Sequence, residues 1–95
     1  MDMNIEFFNE LLGLDITTDT KQRRYVRARQ CVWFFLFNLH KNALNYTQIS
    51  RIFGVDRTAV SKACDNINEE LSEGNDNLSK QYWAVLEPYL SSYGE

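Results

Sequence analysis

The 95-residue chain is 44% hydrophobic and 24% charged, with a net charge of −3 at pH 7. Such a composition excludes a disordered chain, and this length fills a single hydrophobic core, so one domain is predicted over residues 1–95. The longest apolar run, Cys31–Phe37, is far shorter than the ~18 residues of a membrane-spanning helix, and the first residues lack the basic region of a signal peptide, which together predict a cytoplasmic protein.

The N-terminal half of the chain has the pattern of two helices. Residues 4–12 repeat apolar side chains at helical spacing until Gly13 ends the pattern. Residues 15–20 are rich in aspartate and threonine, which is typical of a loop. A second helix is predicted to begin within residues 21–25 and to run to about Leu39. Its centre is apolar on nearly every side, which indicates a buried central helix.

A short helix and a longer helix are predicted next, joined by a tight turn. The short helix covers about residues 46–53, and Asn45 with Gln48 has the sequence of a capping box at its start. Gly54 permits the sharp corner that follows. The longer helix covers about residues 57–72. It buries a stripe of side chains at helical spacing: Val60, Cys64, Ile67 and Leu71.

The last predicted helix covers about residues 78–87, and Pro88 helps to end it. Residues 74–77, which precede it, have the composition of a turn. The side chains that it turns inward are Leu78, Tyr82, Val85 and Leu86. Since no alternating strand pattern occurs, the predicted fold is all-α, a compact bundle of about five helices.

The short helix, the glycine turn and the longer helix have the spacing of a helix-turn-helix. In that arrangement Ile49 and Phe53 would pack against Val60 and Cys64. The same arrangement occurs in all-α proteins that bind no DNA, so the spacing alone leaves the function open.

Burial of the stripe leaves a polar face on the first two turns of the longer helix. The residues of this face are Arg57, Thr58, Ser61, Lys62 and Asp65. Arginine can donate two hydrogen bonds to guanine, and a threonine methyl can pack against thymine, so the face suits a DNA major groove. Asp56 allows two interpretations: its carboxylate caps the helix by accepting from a backbone N–H, or it accepts from a cytosine amino group.

Positive charge is concentrated in the middle of this acidic chain. Residues 21–62 hold nine basic residues and one acidic residue, a net +8, whereas residues 1–20 carry −5 and residues 63–95 carry −6. A concentrated positive face is the expected footprint of phosphate contact, and the phosphate contacts predicted from it are Arg23, Arg24 and Arg51. The alternative is a solvated basic surface without a partner.

Two motifs, one in the central helix and one spanning the turn, together carry a family resemblance. The first is Arg27-Ala28-Arg29-Gln30, and the second is Phe53-Gly54-Val55-Asp56-Arg57-Thr58-Ala59-Val60-Ser61-Lys62-Ala63-Cys64. This combination resembles the C-terminal DNA-binding domain of the bacterial replication initiator DnaA. The resemblance covers residues 21–90 and leaves residues 1–20 as an additional N-terminal helix and loop. It implies the Trp-repressor-like helix-turn-helix fold of that domain and binding to double-stranded DNA.

The resemblance implies base contacts in both grooves. Arg27 corresponds to an arginine that the family places in the minor groove. The positions that read base edges in the major groove correspond to Asp56, Arg57, Thr58 and Lys62. The chain departs from the family at Arg57, where the family has histidine, and at Asp65, where a basic residue is usual. Its turn is also one residue shorter.

Phosphate contacts are implied as well. Arg29 and Gln30 correspond to side chains that touch the DNA backbone. Tyr46 and Thr47 correspond to residues that do so through backbone N–H groups, and the start of a helix suits an anion on dipole grounds also. The phosphate-binding loop of the initiator's ATPase module does not occur in the sequence, so no ATP-driven activity is expected.

Neither an enzyme, a metal site nor a cofactor site is predicted. His40 is the only histidine, the two cysteines lack CxxC spacing, and no nucleophile–base pair or paired carboxylates are evident. Cys31 and Cys64 are predicted to be small core side chains, the alternative being a disulfide or a reactive thiol. Core packing, rather than a platform for single-stranded nucleic acid, is predicted for Trp33, Phe34, Phe35 and Phe37.

The sequence therefore predicts a protein that binds double-stranded DNA with some sequence preference and regulates transcription or replication. It is expected to act as a monomer, with weak self-association as an additional property, and to use no small-molecule substrate and no membrane. The alternative is a helical protein-interaction module whose acidic segments or aromatic surface bind a partner. RNA is disfavoured because the deep major groove of A-form RNA excludes a helix.

Overall fold

The computed structural model describes residues 5–18, 20–74 and 77–91. Over these residues the chain folds as five α-helices and one short 3-10 helix, without a strand, which confirms the predicted all-α bundle. The helices are α1 (Ile5–Leu12), α2 (Arg23–Phe37), α3 (Tyr46–Phe53), α4 (Arg57–Glu73) and α5 (Asn77–Leu86), and the 3-10 helix covers Glu87–Tyr89. The predictions for Asn4, Asp19, Asn75 and Asp76 fall outside the described residues. None of the described helices is both long and apolar enough to cross a membrane.

The central helix is α2, because apolar side chains cover most of its circumference. Its buried residues are Ala28, Cys31, Val32, Trp33, Phe35 and Leu36. The helices α3, α4 and α5 all pack against it. It ends before the predicted Leu39 because Asn38 donates twice to the Phe34 carbonyl oxygen, from its backbone N–H at 3.1 Å and from its side-chain Nδ2 at 2.7 Å. Leu39 is buried all the same, from the loop that follows.

The N-terminal segment contributes to the same core as the other helices. Phe8 of α1 packs edge-on against Phe35, with ring centroids 5.7 Å apart, and Ile16 in the loop after α1 is fully buried. Burying a side chain of this size stabilises a fold by about 1.5–3 kcal/mol. The loop is held by Asn9, whose Oδ1 accepts from the Ile16 backbone N–H at 2.8 Å. One core therefore unites all the described helices.

The aromatic cluster of α2 packs in the core with one exception. Trp33 and Phe35 are buried, and Phe34 lies half-buried against Trp83 with ring centroids 5.0 Å apart. Phe37 is 38% exposed, so the prediction of core packing was wrong for this residue. The reason is geometric: aromatic residues so close together on one helix point in different directions, and one of them faces solvent.

Helix α5 buries Leu86 as predicted, but not Val85. Ser79 and Leu86 are buried, whereas Val85, which was expected to point inward, is exposed. Residues 79, 82, 83 and 86 share one helix face, and this face meets α2, where the Cys31 thiol donates to the Ser79 carbonyl with an Sγ–O distance of 3.6 Å. Cys31 and Cys64 are both buried and are not joined in a disulfide, which confirms the core prediction for the two thiols.

Candidate nucleic-acid interface

Helix α3 begins with the predicted capping box and ends at the predicted glycine. The Asn45 side chain accepts from the Gln48 backbone N–H at 2.8 Å, and the Gln48 side chain accepts from the Asn45 backbone N–H at 3.0 Å. Gly54 closes the helix in the left-handed conformation, with φ of 66°, which a residue with a β-carbon adopts only with strain. Ile49 is buried, and Phe53 packs edge-on against Trp33 at 5.8 Å between ring centroids.

Helix α4 buries the predicted stripe. Val60, Cys64 and Ile67 are buried together with Ala63, and Leu71 lies half-buried at the margin of the core. The helices α3 and α4 pack against each other. Together with the turn over residues 54–56 they form a helix–turn–helix whose second helix exposes one long polar face.

The Asp56 carboxylate does not cap α4. Asp56 occupies the N-cap position with an extended backbone, but its side chain accepts no cap hydrogen bond, so the capping interpretation was wrong. The first turn is held by the Asp56 backbone carbonyl instead, which accepts from the Ala59 N–H at 3.0 Å and the Val60 N–H at 3.3 Å. The carboxylate is exposed at the start of the helix, where a DNA base could reach it.

A shallow depression opens beside the start of α4. Four residues that were predicted to contact DNA line it together: Tyr46, Arg57, Thr58 and Ser61. The side chains of Arg57, Thr58 and Lys62 are exposed, and within the described part of the chain they form no hydrogen bond or ion pair. Tyr46 stacks on Phe37 with ring centroids 4.5 Å apart. Partial burial raises the pKa of Tyr46, and the nearby Cys64 and Asp65 act in the same direction.

The charges of α4 oppose its helix dipole. Its first turn carries Arg57 and no acidic residue, and its last turn carries acidic residues and no basic one. A helix dipole favours anions at the N-terminus and cations at the C-terminus, by about 0.3–1 kcal/mol per exposed charge. Lys80 of α5 supplies a cation at the end of α4: its Nζ lies 2.9 Å from the position that a β-carbon on Gly74 would occupy. At the start of α4 the exposed Asp56 carboxylate supplies a negative charge at the N-cap position without making a cap hydrogen bond, so among the charges of the helix itself Arg57 is the one that opposes the dipole there.

A second group of predicted residues lies between α2 and α4. Arg27 Nη1 donates to Gln30 Oε1 at 3.0 Å, and Asn66 Nδ2 donates to the same oxygen at 3.1 Å. Asn66 was missed by the sequence analysis. The available signal was its residue type, because asparagine is a weak helix former and in mid-helix often marks a side-chain hydrogen bond.

Arg29 holds the loop between α1 and α2. Its Nη2 donates to the carbonyl oxygens of Thr18 at 3.2 Å and Thr20 at 3.5 Å. Its Nε is buried and has no hydrogen-bond partner among the described residues. It lines a depression with residues of the turn, Gly54 and Val55, apart from the depression beside α4. The guanidinium that was predicted to contact phosphate therefore lies partly exposed and already donates to two backbone carbonyls of this loop.

The remaining predicted phosphate contacts lie on α2 and α3. Arg23, Arg24 and Arg51 are exposed, and the Arg24 guanidinium lies 5.2 Å from the centroid of the Tyr25 ring. Thr47 is half-buried in the first turn of α3, where its carbonyl accepts from the Ser50 hydroxyl at 2.7 Å. These residues place cations at the start of α2 and near the end of α3. In the described ranges no three histidine, cysteine or acidic side chains are grouped so as to hold a metal ion.

No protein-family model, curated protein or solved structure matches this chain. The resemblance to DnaA accordingly stays a prediction carried by the two motifs, and the function has to be argued from the geometry of the residues themselves.

Proposed function

We propose that the protein binds double-stranded DNA, with α4 in the major groove and with sequence preference set by its first two turns. The observation that carries this proposal is the charge polarity of α4. Arg57 is exposed and unpaired within the described residues, at the end of the helix where the dipole disfavours a cation. Departures from local preference of this kind are expected where a surface serves binding rather than stability.

The side chains at the start of α4 suit the edges of base pairs. Arg57 can donate two hydrogen bonds to guanine O6 and N7, and the Thr58 methyl can pack against the thymine methyl. Because the Asp56 carboxylate makes no cap bond, its oxygens are available to accept from a cytosine amino group. Lys62 lies one further turn along the same helix and extends the cationic surface.

Phosphate contacts are assigned to the cations and N–H groups that flank α4. The first turn of α3 offers the backbone N–H groups of Tyr46 and Thr47, a position that favours an anion. Exposed side chains on α2 and α3 add Arg23, Arg24 and Arg51. Arg29 is assigned to the fold, because it already donates to two carbonyl oxygens of the preceding loop. The proposed role is that of a monomeric regulator of transcription or replication.

In-vitro selection from a randomised duplex pool tests the proposal. The wild-type protein is expected to enrich a short sequence, and Arg57→Ala to lose discrimination at one base pair, by ~1–3 kcal/mol. Arg51→Ala is the matched control: it removes the same side chain from α3 and is expected to weaken binding to every sequence alike. If both variants lose affinity uniformly across the pool, Arg57 does not read bases.

A protein-interaction module is the second candidate, and one observation favours it. The Phe37–Tyr46 stack leaves an aromatic side chain exposed beside α4, where a protein partner could bind. Salt dependence separates the two candidates. Groove binding with about six phosphate contacts predicts a slope of about −5 when log affinity is plotted against log salt concentration. An apolar protein interface predicts a slope near zero, and no retention of duplex DNA at low salt.

A further inference from the structure

The side-chain amide of Gln30 has a fixed orientation in this structure. Its Oε1 accepts from Arg27 Nη1 at 3.0 Å and from Asn66 Nδ2 at 3.1 Å. A guanidinium can only donate hydrogen bonds, so the end of the amide that faces Arg27 must be the oxygen. The second donor comes from α4, 36 residues further along the chain, and holds the amide from the other helix.

This orientation decides what Gln30 presents to its surroundings. When the oxygen faces the cleft between α2 and α4, the Nε2 amino group points the opposite way. Within the described residues Nε2 donates to no protein atom, and it is not among the buried unpartnered atoms, so it is accessible to solvent. Phosphate oxygens only accept hydrogen bonds. An outward amino group can bind a phosphate, whereas an outward amide oxygen would repel it.

We infer that Asn66 is a positioning residue: together with Arg27 it fixes the Gln30 amide so that the amino group faces a phosphate of the bound DNA. This inference rests on the proposed function, since it concerns how the same interface meets the DNA backbone. Asn66 lies one helical turn after Lys62 on α4. The bond from Asn66 therefore ties the phosphate contact of α2 to the helix that reads bases, so that the two elements keep one register on the duplex.

Duplex affinities of Asn66→Ala and Asn68→Ala, measured over a range of salt concentrations, test this inference. Both changes remove an asparagine from α4, but the exposed Asn68 side chain donates to no described residue. Loss of one hydrogen bond to a charged group such as a phosphate lowers affinity by a factor of about ten or more. Asn66→Ala is expected to show that loss, and Asn68→Ala to bind as the wild type does. If the two variants bind alike while the wild type binds DNA, the inference is overturned and the proposed function stands.

A double-mutant cycle with Gln30→Lys separates positioning from a purely structural effect. A lysine ammonium donates in every orientation, so it does not need Asn66 to aim it. In the Gln30→Lys background, Asn66→Ala is expected to leave duplex affinity unchanged. An equal loss in both backgrounds would show that Asn66 acts through the fold alone and would overturn the inference.

Two further measurements keep the test decisive. If Asn66→Ala does not fold, Asn66→Leu takes its place: it keeps a side chain of similar size but donates no hydrogen bond to the Gln30 oxygen, and it adds no charge, so duplex affinity should fall as in the alanine variant. NMR of the free wild-type protein gives an independent check, since the Gln30 amino protons should shift on addition of duplex DNA. Binding of DNA without any shift of those protons would contradict the assigned contact.

Discussion

Arg29 and Arg57 have the same side chain, but their surroundings differ. The Arg29 guanidinium donates to the carbonyl oxygens of Thr18 and Thr20, and its Nε is buried. The Arg57 side chain is exposed, with no hydrogen bond or ion pair to the part of the chain that the structure describes. The bonds from Arg29 to the two backbone carbonyls contribute to stability although its buried Nε lacks a partner among the described residues, whereas an arginine side chain held open to solvent is available to a ligand.

For Arg29→Ala we therefore expect a loss of stability rather than a specific loss of DNA binding. Removing a charged donor that serves two carbonyls should lower the free energy of unfolding by about 1–2 kcal/mol, because those carbonyls lose their partner. Urea unfolding of Arg29→Ala beside Arg51→Ala measures this, since Arg51 is exposed and should change stability little. If Arg29→Ala leaves stability unchanged but weakens duplex binding, the result would contradict this expectation and indicate that Arg29 contacts DNA.

The Cys64 thiol should make the fold sensitive to alkaline pH. Burial, and then the adjacent Asp65, raise the pKa of Cys64 from 9.0 to about 12. Between these values the unfolded chain has lost the thiol proton and the folded protein retains it, so the free energy of unfolding falls as pH rises above about 9. Urea unfolding between pH 8 and 10 should show this decline in the wild type and a flatter profile in Cys64→Ala. Burial raises the pKa of Tyr46 and Tyr82 from 10.0 as well, so both act in the same direction as Cys64, but mainly at pH values above this window.

Single residues also mark where sequence reasoning failed. Asp56 has the residue type of an N-cap, but its side chain accepts no hydrogen bond from the backbone N–H groups, and no sequence pattern specifies its rotamer. Val85 was placed inward because it is apolar, although the buried face of α5 is set by its packing on α2 and contains Ser79 instead. In the case of Val85, packing between helices overrode a local preference.

At the scale of elements, helix ends were predictable where local chemistry decides them. The limits of α3 agree with the prediction because Asn45, Gln48 and Gly54 satisfy its terminal backbone groups themselves. The end of α2 did not agree, because Asn38 competes for the last carbonyls and the apolar pattern continues through Leu39 into a loop. Hydrophobic periodicity identifies buried positions and does not by itself show where a helix stops.

The polarity of α4 leads to opposite expectations for stability and binding. Arg57→Glu replaces a cation by an anion in the first turn, where the dipole favours negative charge, and should raise the free energy of unfolding by about 0.5–1 kcal/mol. The same change should abolish duplex binding, because a carboxylate repels phosphate and cannot donate to guanine. Arg57→Ala should lie between the two in stability. Thermal unfolding and fluorescence anisotropy of the three proteins check this, and a less stable glutamate variant would contradict it.

At the scale of the whole molecule, charge is segregated along the chain, with +8 over residues 21–62 and negative segments on both sides. The exposed face of α4 crosses that boundary, from Lys62 to Asp65 one turn later. A carboxylate at this position would border the DNA backbone and limit the footprint. The negative net charge of the protein therefore says little about the surface that would face DNA.

Asp65→Lys should accordingly extend the footprint. We expect tighter duplex binding and a slope against log salt that steepens by about one, because one more cation neutralises a phosphate. Glu87→Lys makes the same change of net charge on the 3-10 helix and serves as the control. Equal gains from both variants would mean that net charge, rather than position beside α4, determines the affinity.

The candidate interface was predictable only in part from the sequence. The residues around the depression follow from one local fact, the register of the stripe on α4, which fixes the side of the helix that faces out. Asn66 could not be assigned in this way, because its partner Gln30 is 36 residues away and only the packing of α2 on α4 brings them together. The periodicity of one helix shows which of its side chains face solvent. Which side chains bond to one another depends on the packing of helices that are distant in the sequence.

The position of Arg57 at the positive end of the α4 dipole also makes the stability of the fold depend on ionic strength. Dissolved ions shorten the reach of fields, with a Debye length of about 10 Å at 0.1 M and 3 Å at 1 M. Added salt therefore weakens the repulsion between Arg57 and the positive end of α4, and this contribution favours the folded state of the unbound domain. The same ions compete with the domain for phosphates. Through these two effects, a rise in ionic strength would stabilise the unbound fold and weaken its binding to a nucleic acid.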